Sequence, residues 1–276
     1  MASVVPFAVD THAHVFVRQL ALAPGRRYTP DHDAPLESYL AHLDAHGLGA
    51  GVLIQPSFLG TDNQYMLEAM RRARGRLKGV AVIDECTDVA ELDGLARAGI
   101  VGIRMNLVGR PQPDLQSGAW PGLLGRVREL GWHVEIHAEA RRLPDIVSAL
   151  RPAQCRLVVD HFGRPDPVLG AADPGFRWLL DAAADVDLWV KLSGAYRNWS
   201  EPSGAQARWA AELLLEHVGP DRLLWGSDWP HTQHPDQTYA QSRRALDDWI
   251  VDPALRHRIL AINPRNCFGF QGGETP

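Results

Sequence analysis

Eight times along its 276 residues the chain alternates a short apolar, β-branched run with a longer helical pattern. No other feature restricts the fold so much. The strand-like runs are "FAVDTH" (7–12), "AGVLIQ" (50–55), "GVAVI" (79–83), "VGIRM" (101–105), "HVEIH" (133–137), "RLVVDH" (156–161), "DLWVKL" (187–192) and "RLLWGS" (222–227). Helical segments lie between them at 36–46, 62–75, 88–98, 119–130, 142–150, 174–184 and 205–217, and a last helical region spans roughly 237–262. Eight β/α units predict an α/β chain folded as a (β/α)8 TIM barrel. A doubly wound sheet is the competing architecture, but no G-x-G-x-x-G fingerprint follows the first strand. Pro and Gly are spread along the chain and not gathered in a linker, so one domain over 1–276 is expected.

Composition removes several function classes. A formal charge of −5 argues against a nucleic-acid or membrane-surface binder, both of which carry basic stripes. The N-terminal "MASVVPFAVD" has neither the basic region nor the apolar length of a signal peptide, and no run approaches the roughly 18 apolar residues of a membrane span. Cys86, Cys155 and Cys267 are odd in number and lack C-x-x-C spacing. They read as reduced core thiols of a cytoplasmic protein. Self-association is open at this level, and a homo-oligomer is compatible with the sequence.

In a barrel, the chemistry belongs at the C-terminal ends of the strands. The first run ends in "DTHAHVF", where His12 and His14 are two apart and face one side of a strand. An H-x-H pair decides nothing by itself; a hydrogen-bonded loop pair is the plain alternative. Its weight comes from the other strand ends. The fifth run ends in "VEIHAE", giving His137, the sixth in "VVDHFGRP", giving His161, and the eighth in "WGSDWPH", giving Asp228. Imidazole and carboxylate are ligands for zinc or a similar divalent ion, which lowers the pKa of a bound water and polarises a carbonyl. Glu135 reads better as a supporting partner or barrel salt bridge than as a ligand, and His42 and His46 read as a solvated helix face. His231 is the best second acid/base candidate beyond the eighth strand.

The ordered set "DTHAHVF", "QPSFLGTDN", "GIRMN", "DHFGRPD" and "GSDWPH" resembles the amidohydrolase superfamily, and within it the 2-pyrone-4,6-dicarboxylate lactonase-like branch. The resemblance runs from about residue 8 to residue 266. It implies a distorted (β/α)8 barrel, hydrolysis of lactones of acidic compounds, and Asp228 as general base. It also implies that His12, His14 and His161 surround the lactone carbonyl. Members that work without a tightly bound metal tend to have Tyr where this chain has His137. With His137 present, the chain looks more like metal-binding relatives, in which His12, His14, His137 and Asp228 would hold zinc and His161 would act on substrate. Catalysis without metal is the competing case. The stretch "KLSGAYRNW" departs from the pyrone-dicarboxylate pattern.

Three arginines support an acidic substrate independently: Arg104 at the end of strand four, Arg164 after His161, and Arg197 after strand seven. Guanidinium forks match carboxylates bidentately, while for each arginine alone a surface or structural salt bridge is an equally good reading. Ser57, Thr61 and Asn63 could donate hydrogen bonds after strand two, with turn or cap roles equally open. The expected function is therefore a hydrolase that opens the lactone ring of a small anionic molecule by attack of an activated water. A zinc-dependent non-oxidative decarboxylase of a muconate-type acid, a lactone isomerase, and a barrel that only binds a small acid are the alternatives.

Overall fold

The computed structural model describes residues 7–201 and 204–270. Eight parallel strands pair in sequence order: β1 (Val9–Ala13), β2 (Ala50–Ile54), β3 (Leu77–Ala81), β4 (Ile100–Asn106), β5 (His133–His137), β6 (Arg156–Val159), β7 (Leu188–Leu192) and β8 (Leu223–Trp225). Helices α1 (Leu36–Ala45), α2 (Gln64–Arg72), α3 (Val89–Arg97), α4 (Trp120–Glu129), α5 (Leu143–Leu150), α6 (Pro174–Ala182) and α7 (Ala205–His217) return the chain between them. The result is the expected distorted (β/α)8 barrel. Strand residues are buried almost throughout, because one face meets the barrel interior and the other the helix layer. The helices bury one stripe each; α5 covers Leu143, Ile146, Val147 and Leu150, at spacings of three and four.

The distortion lies at the seam between β1 and β8. Only one backbone bridge, Ala13 to Trp229, is formed there among the described residues. Side chains do the rest: Thr11 Oγ1 donates to the Trp225 carbonyl at 2.8 Å, and the Asp10 carboxylate accepts from Ser227 N at 2.8 Å and Ser227 Oγ at 2.6 Å. Gly226 permits the close approach, since a Cβ there would lie 2.4 Å from His12 Cβ. Strand eight is consequently shorter than its sequence run, and Asp228 lies beyond it in a left-handed turn (φ 59°).

The last helical region is not continuous. It divides into α8 (Tyr239–Trp249), α9 (Pro253–His257), a π-type turn (Arg258–Ile262) and α10 (Asn263–Phe268). Asp252 caps α9 by accepting from Ala254 N at 2.8 Å, and Pro253 occupies the first helical position, so a new helix starts there. The end of α10 and the residues just after it form a plug: Phe268 and Phe270 pack with Val9, Val52, Val80, Val158, Trp189 and Leu224, filling the barrel at its strand starts. No helix of the described residues is long and apolar enough to cross a membrane.

Candidate active site

Inward-facing strand positions two apart change in character along the barrel axis. On β5 the order is His133, Glu135, His137; on β7 it is Trp189 then Lys191; at β6 it is Val158 then Asp160. The apolar plug therefore gives way to a buried charged layer, and that layer to an open cavity. The cavity, of about 290 Å³, is lined among others by His14, His137, His161, Arg164, Arg197 and Asp228.

Three groups converge at its floor. Nε2 of His12 and Nε2 of His14 each lie 3.8 Å from Oδ1 of Asp228. The ligand atoms of these three side chains are all within 4.8 Å of one another. His12 Nε2 and Asp228 Oδ1 are buried with no hydrogen-bond partner among the described residues. His14 Nδ1 lies 2.7 Å from the Ile54 carbonyl oxygen, an obligate acceptor, so Nδ1 carries the proton and Nε2 offers its lone pair. Burial, then the neighbouring His12 and Arg104, holds the His14 pKa well below its ordinary value. Two imidazoles and a carboxylate whose buried, unpartnered atoms converge are ligand types that suit a divalent ion.

The other oxygen of Asp228 is occupied. Arg197 Nε donates to Oδ2 at 2.6 Å and Tyr196 Oη at 2.5 Å. Burial alone would raise this carboxyl, but Arg197, then His161 and His12, outweigh it and hold the pKa well below the usual carboxylate range.

His161 stands on a strained turn after β6, where His161, Phe162 and Arg164 all have φ between 52° and 58°. Such positions persist only when surroundings over-determine them. Here the His161 carbonyl accepts from Asn198 Nδ2 at 2.8 Å, and the ring Nδ1 pairs with Ser193 Oγ at 2.9 Å. Burial lowers the His161 pKa well below its ordinary value, although Asp228 and Asp160 oppose this.

Beneath the cluster, Lys191 is fully buried and pairs with Glu135, with Nζ 3.2 Å from His12 Nδ1 and 3.6 Å from Asp160 Oδ1. Asp160 Oδ1 is itself 3.2 Å from His12 Nδ1, and Arg104 donates to Asp160 Oδ2 from Nη2 at 2.8 Å and Nε at 3.2 Å. Two buried carboxylates thus meet two buried cations. Burial would raise Asp160, yet His12, Arg104 and Lys191 hold it well below the carboxylate range.

Several sequence expectations change at this point. Arg104 edges the cavity, but its guanidinium is engaged by Asp160, with Glu135 at 3.4 Å, because the buried acids need a cation. His137 lines the cavity outside the three-ligand group; its Nδ1 faces Arg104 Nη2 at 3.3 Å and its ring centroid lies 4.8 Å from that of His161. Burial, then Arg104, pushes the His137 pKa well down. Of the strand-two residues, Ser57 lines the cavity, Thr61 is exposed outside it, and Asn63 ties its own loop to β3 through Thr61 O, Val82 O and Val82 N. His231 is buried behind Tyr196, with Nε2 3.2 Å from Ser242 Oγ, and burial lowers its pKa to about 4. It does not reach the cavity wall, whereas His234 does. His42 and His46 are half-buried against Tyr239 rather than solvated.

Sequence reasoning missed Asp160, Lys191, Tyr196 and Arg27. A lysine or aspartate on the inward face of a strand was a usable signal for the first two. Arg27 reaches the cavity from the long β1–α1 loop and donates to Asn106 Oδ1 at 3.1 Å, a contact with no local sequence signature.

A (β/α)8 barrel with a histidine–aspartate cluster at its strand ends defines a barrel hydrolase of the amidohydrolase class. The chain belongs to the amidohydrolase family, whose model matches residues 9–270. It is 34% identical over 280 residues to a 4-sulfomuconolactone hydrolase of Rhizobium radiobacter, covering 95% of this chain and 90% of that one. A 2-pyrone-4,6-dicarboxylate hydrolase of Comamonas testosteroni is 32% identical over 282 residues, with 95% and 90% covered. The crystal structure of a probable 2-pyrone-4,6-dicarboxylic acid hydrolase from Acinetobacter baumannii, with citric acid bound, superposes with a TM-score of 0.92 at 41% identity, covering 96% of this chain and all of that one.

Proposed function

We propose that this protein hydrolyses the ring ester of a small lactone bearing at least one carboxylate or comparable anionic group. The observation that carries this reading is the cavity itself. Its floor holds a carboxylate and two imidazoles whose ligand atoms converge, and its wall holds Arg164 and Arg197. The related lactone hydrolases supply the reaction class.

Asp228 orients the attacking water through Oδ1 and draws on its proton, while Arg197 and Tyr196 keep Oδ2 engaged and the side chain fixed. His161, held at Nδ1 by Ser193, faces the reacting carbonyl from the β6 side. Arg164, and Arg27 from the β1–α1 loop, attract the substrate's anionic group. Since His12, His14 and Asp228 suit a divalent ion, they are the residues that would hold it, and zinc is our choice for two imidazoles and one carboxylate. When bound, the ion would supply Lewis acidity and a more acidic water. The free thiols support a cytoplasmic setting; Cys155 and Cys267 are buried as expected, whereas Cys86, expected in the core, is exposed.

A panel of carboxylated and neutral lactones, followed by proton release and by mass of the ring-opened acid, tests the reading. Ring opening with gain of one water supports it; loss of carbon dioxide instead would replace it with a decarboxylase.

A further inference from the structure

His14 and His137 face the same cavity, yet their inner nitrogens meet opposite partners. The Ile54 carbonyl beside His14 Nδ1 can only accept a hydrogen bond; the Arg104 guanidinium beside His137 Nδ1 can only donate one. His14 therefore offers a lone pair at Nε2. His137, neutral and accepting at Nδ1, must carry its proton on Nε2. Arg104 is not free to turn away, since Nε and Nη2 both hold Asp160 Oδ2, and Asp160 in turn faces His12. His137 Nε2 is buried and has no hydrogen-bond partner among the described residues. An N–H has no lone pair for a metal, and His137 lies outside both groups of side chains whose ligand atoms come together.

We propose that His137 is not a metal ligand but a hydrogen-bond donor, its proton fixed on Nε2 by Arg104, to the substrate oxygen that gains negative charge as the ring ester is attacked. The identity of that oxygen rests on the lactone-hydrolase reading; the tautomer does not. One charged layer then prepares the histidines for different work. The backbone of β2 turns His14 into an acceptor of a cation, and the Arg104–Asp160 pair turns His137 into a donor to an anion. Nothing in the spacing of the histidines along the sequence separates these roles, because both sit at strand ends. The difference is in what lies behind each ring.

Two variants and one spectrum test this. His137→Phe removes the donor and keeps an aromatic ring; His137→Gln returns an amide N–H at similar reach. Metal content per chain should equal wild type in both. With a carboxylated lactone, His137→Phe should lose about 10²–10³-fold in kcat with a much smaller change in KM, and His137→Gln should recover a large part of that loss. Nitrogen-15 correlation spectra of the metal-free wild type should show the Nε2–H tautomer for His137 and the Nδ1–H tautomer for His14. An Nδ1–H tautomer at His137, or loss of metal in a folded His137→Phe, would make it a ligand and overturn the proposal. Full kcat in His137→Phe would overturn the donor role. If no lactone is hydrolysed, the failed reading is the reaction, and tautomer and metal content still decide on His137.

Discussion

Arg197 Nε and Asp228 Oδ2 stand 2.6 Å apart, and this contact divides the labour of the carboxylate. With Tyr196 on the same oxygen, Oδ2 is saturated and Oδ1 is left facing His12 and His14. The pairing keeps Asp228 ionised despite complete burial. It also means that Arg197 is already half committed before any substrate arrives, whereas Arg164, on the same wall, has no ion pair among the described residues.

The two arginines should accordingly differ on substitution. Arg164→Met should raise KM for a carboxylated lactone by about 30-fold or more, the equivalent of about 2 kcal/mol for loss of a desolvated charge partner, with kcat little changed. A neutral lactone should barely register the change. Arg197→Met should lower kcat as well, for both substrates, because it also frees Asp228. Equal small effects of Arg164→Met on both lactones would remove it from the anion site.

Metal binding gives a second prediction. Protein purified without chelator should carry close to one zinc per chain, and added zinc should raise the Tm of the stripped protein by several degrees, since a ligand at 100 Kd adds about 2.7 kcal/mol. His14→Ala should abolish that rise. Undiminished activity in stripped protein would move the reaction to Asp228 and the histidines alone.

Lys191 makes the third. It is fully buried and neutralises Glu135 and Asp160 at short range. Lys191→Met should destabilise the fold by about 3–5 kcal/mol, because it strands buried negative charge. Adding Glu135→Gln should recover part of the loss, which urea unfolding of the single and double variants would measure. Additive losses would show that the pair does not interact.

Much of this site was legible in the sequence because strands present side chains with period two. His12, His137, His161 and Asp228 could be placed at one barrel mouth from their distance to each strand end. What lies behind those residues was not legible. Asp160 sits beside His161 in the sequence yet faces inward to Arg104 and His12, and Lys191 reaches His12 across 179 positions. The reading of His42 and His46 as solvated failed for a similar reason: Tyr239, which stacks on both rings, comes from a helix almost 200 residues on. For Arg104 the sequence left substrate contact and salt bridge equally open; it lines the cavity and pairs with Asp160, a buried carboxylate that no local pattern revealed.

The buried histidines predict how stability varies with pH. His14, His137, His161 and His231 all have folded pKa values below the ordinary 6.5. The unfolded chain therefore binds more protons than the native one as soon as the pH falls below about 6.5. Stability is fully present above that value and is lost as the pH falls toward each folded pKa. For His231 the window runs from 6.5 to about 4. Each such group steepens the fall by about 1.4 kcal/mol per pH unit. Denaturant midpoints should thus drop steadily from pH 7 to pH 5, and His231→Gln should shallow the slope. A flat profile over that range would mean that these rings are protonated in the fold.

The sharpest prediction concerns Asp228, on which the metal-assisted and metal-free mechanisms both depend. Asp228→Asn keeps the volume and an oxygen in the same place, and the amide can still accept from Arg197. It cannot take a proton at neutral pH, and with its oxygen held by Arg197 it turns an NH2, which has no lone pair for a cation, toward His12 and His14. A general base is worth about 10²–10⁴-fold, so kcat should fall at least a hundredfold, with the fold intact and an anionic lactone still bound. Asp221 is a fair control. It lies just before β8, at the opposite end of that strand from Asp228, exposed and paired with Arg258, so Asp221→Asn should leave turnover unchanged. Because the loss is in kcat, read at saturating substrate, the Asp228 substitution should not be rescued by raising substrate. Retention of more than about a tenth of wild-type turnover, under conditions where the chemical step limits the rate, would take the proton away from Asp228 and leave His161 as the base.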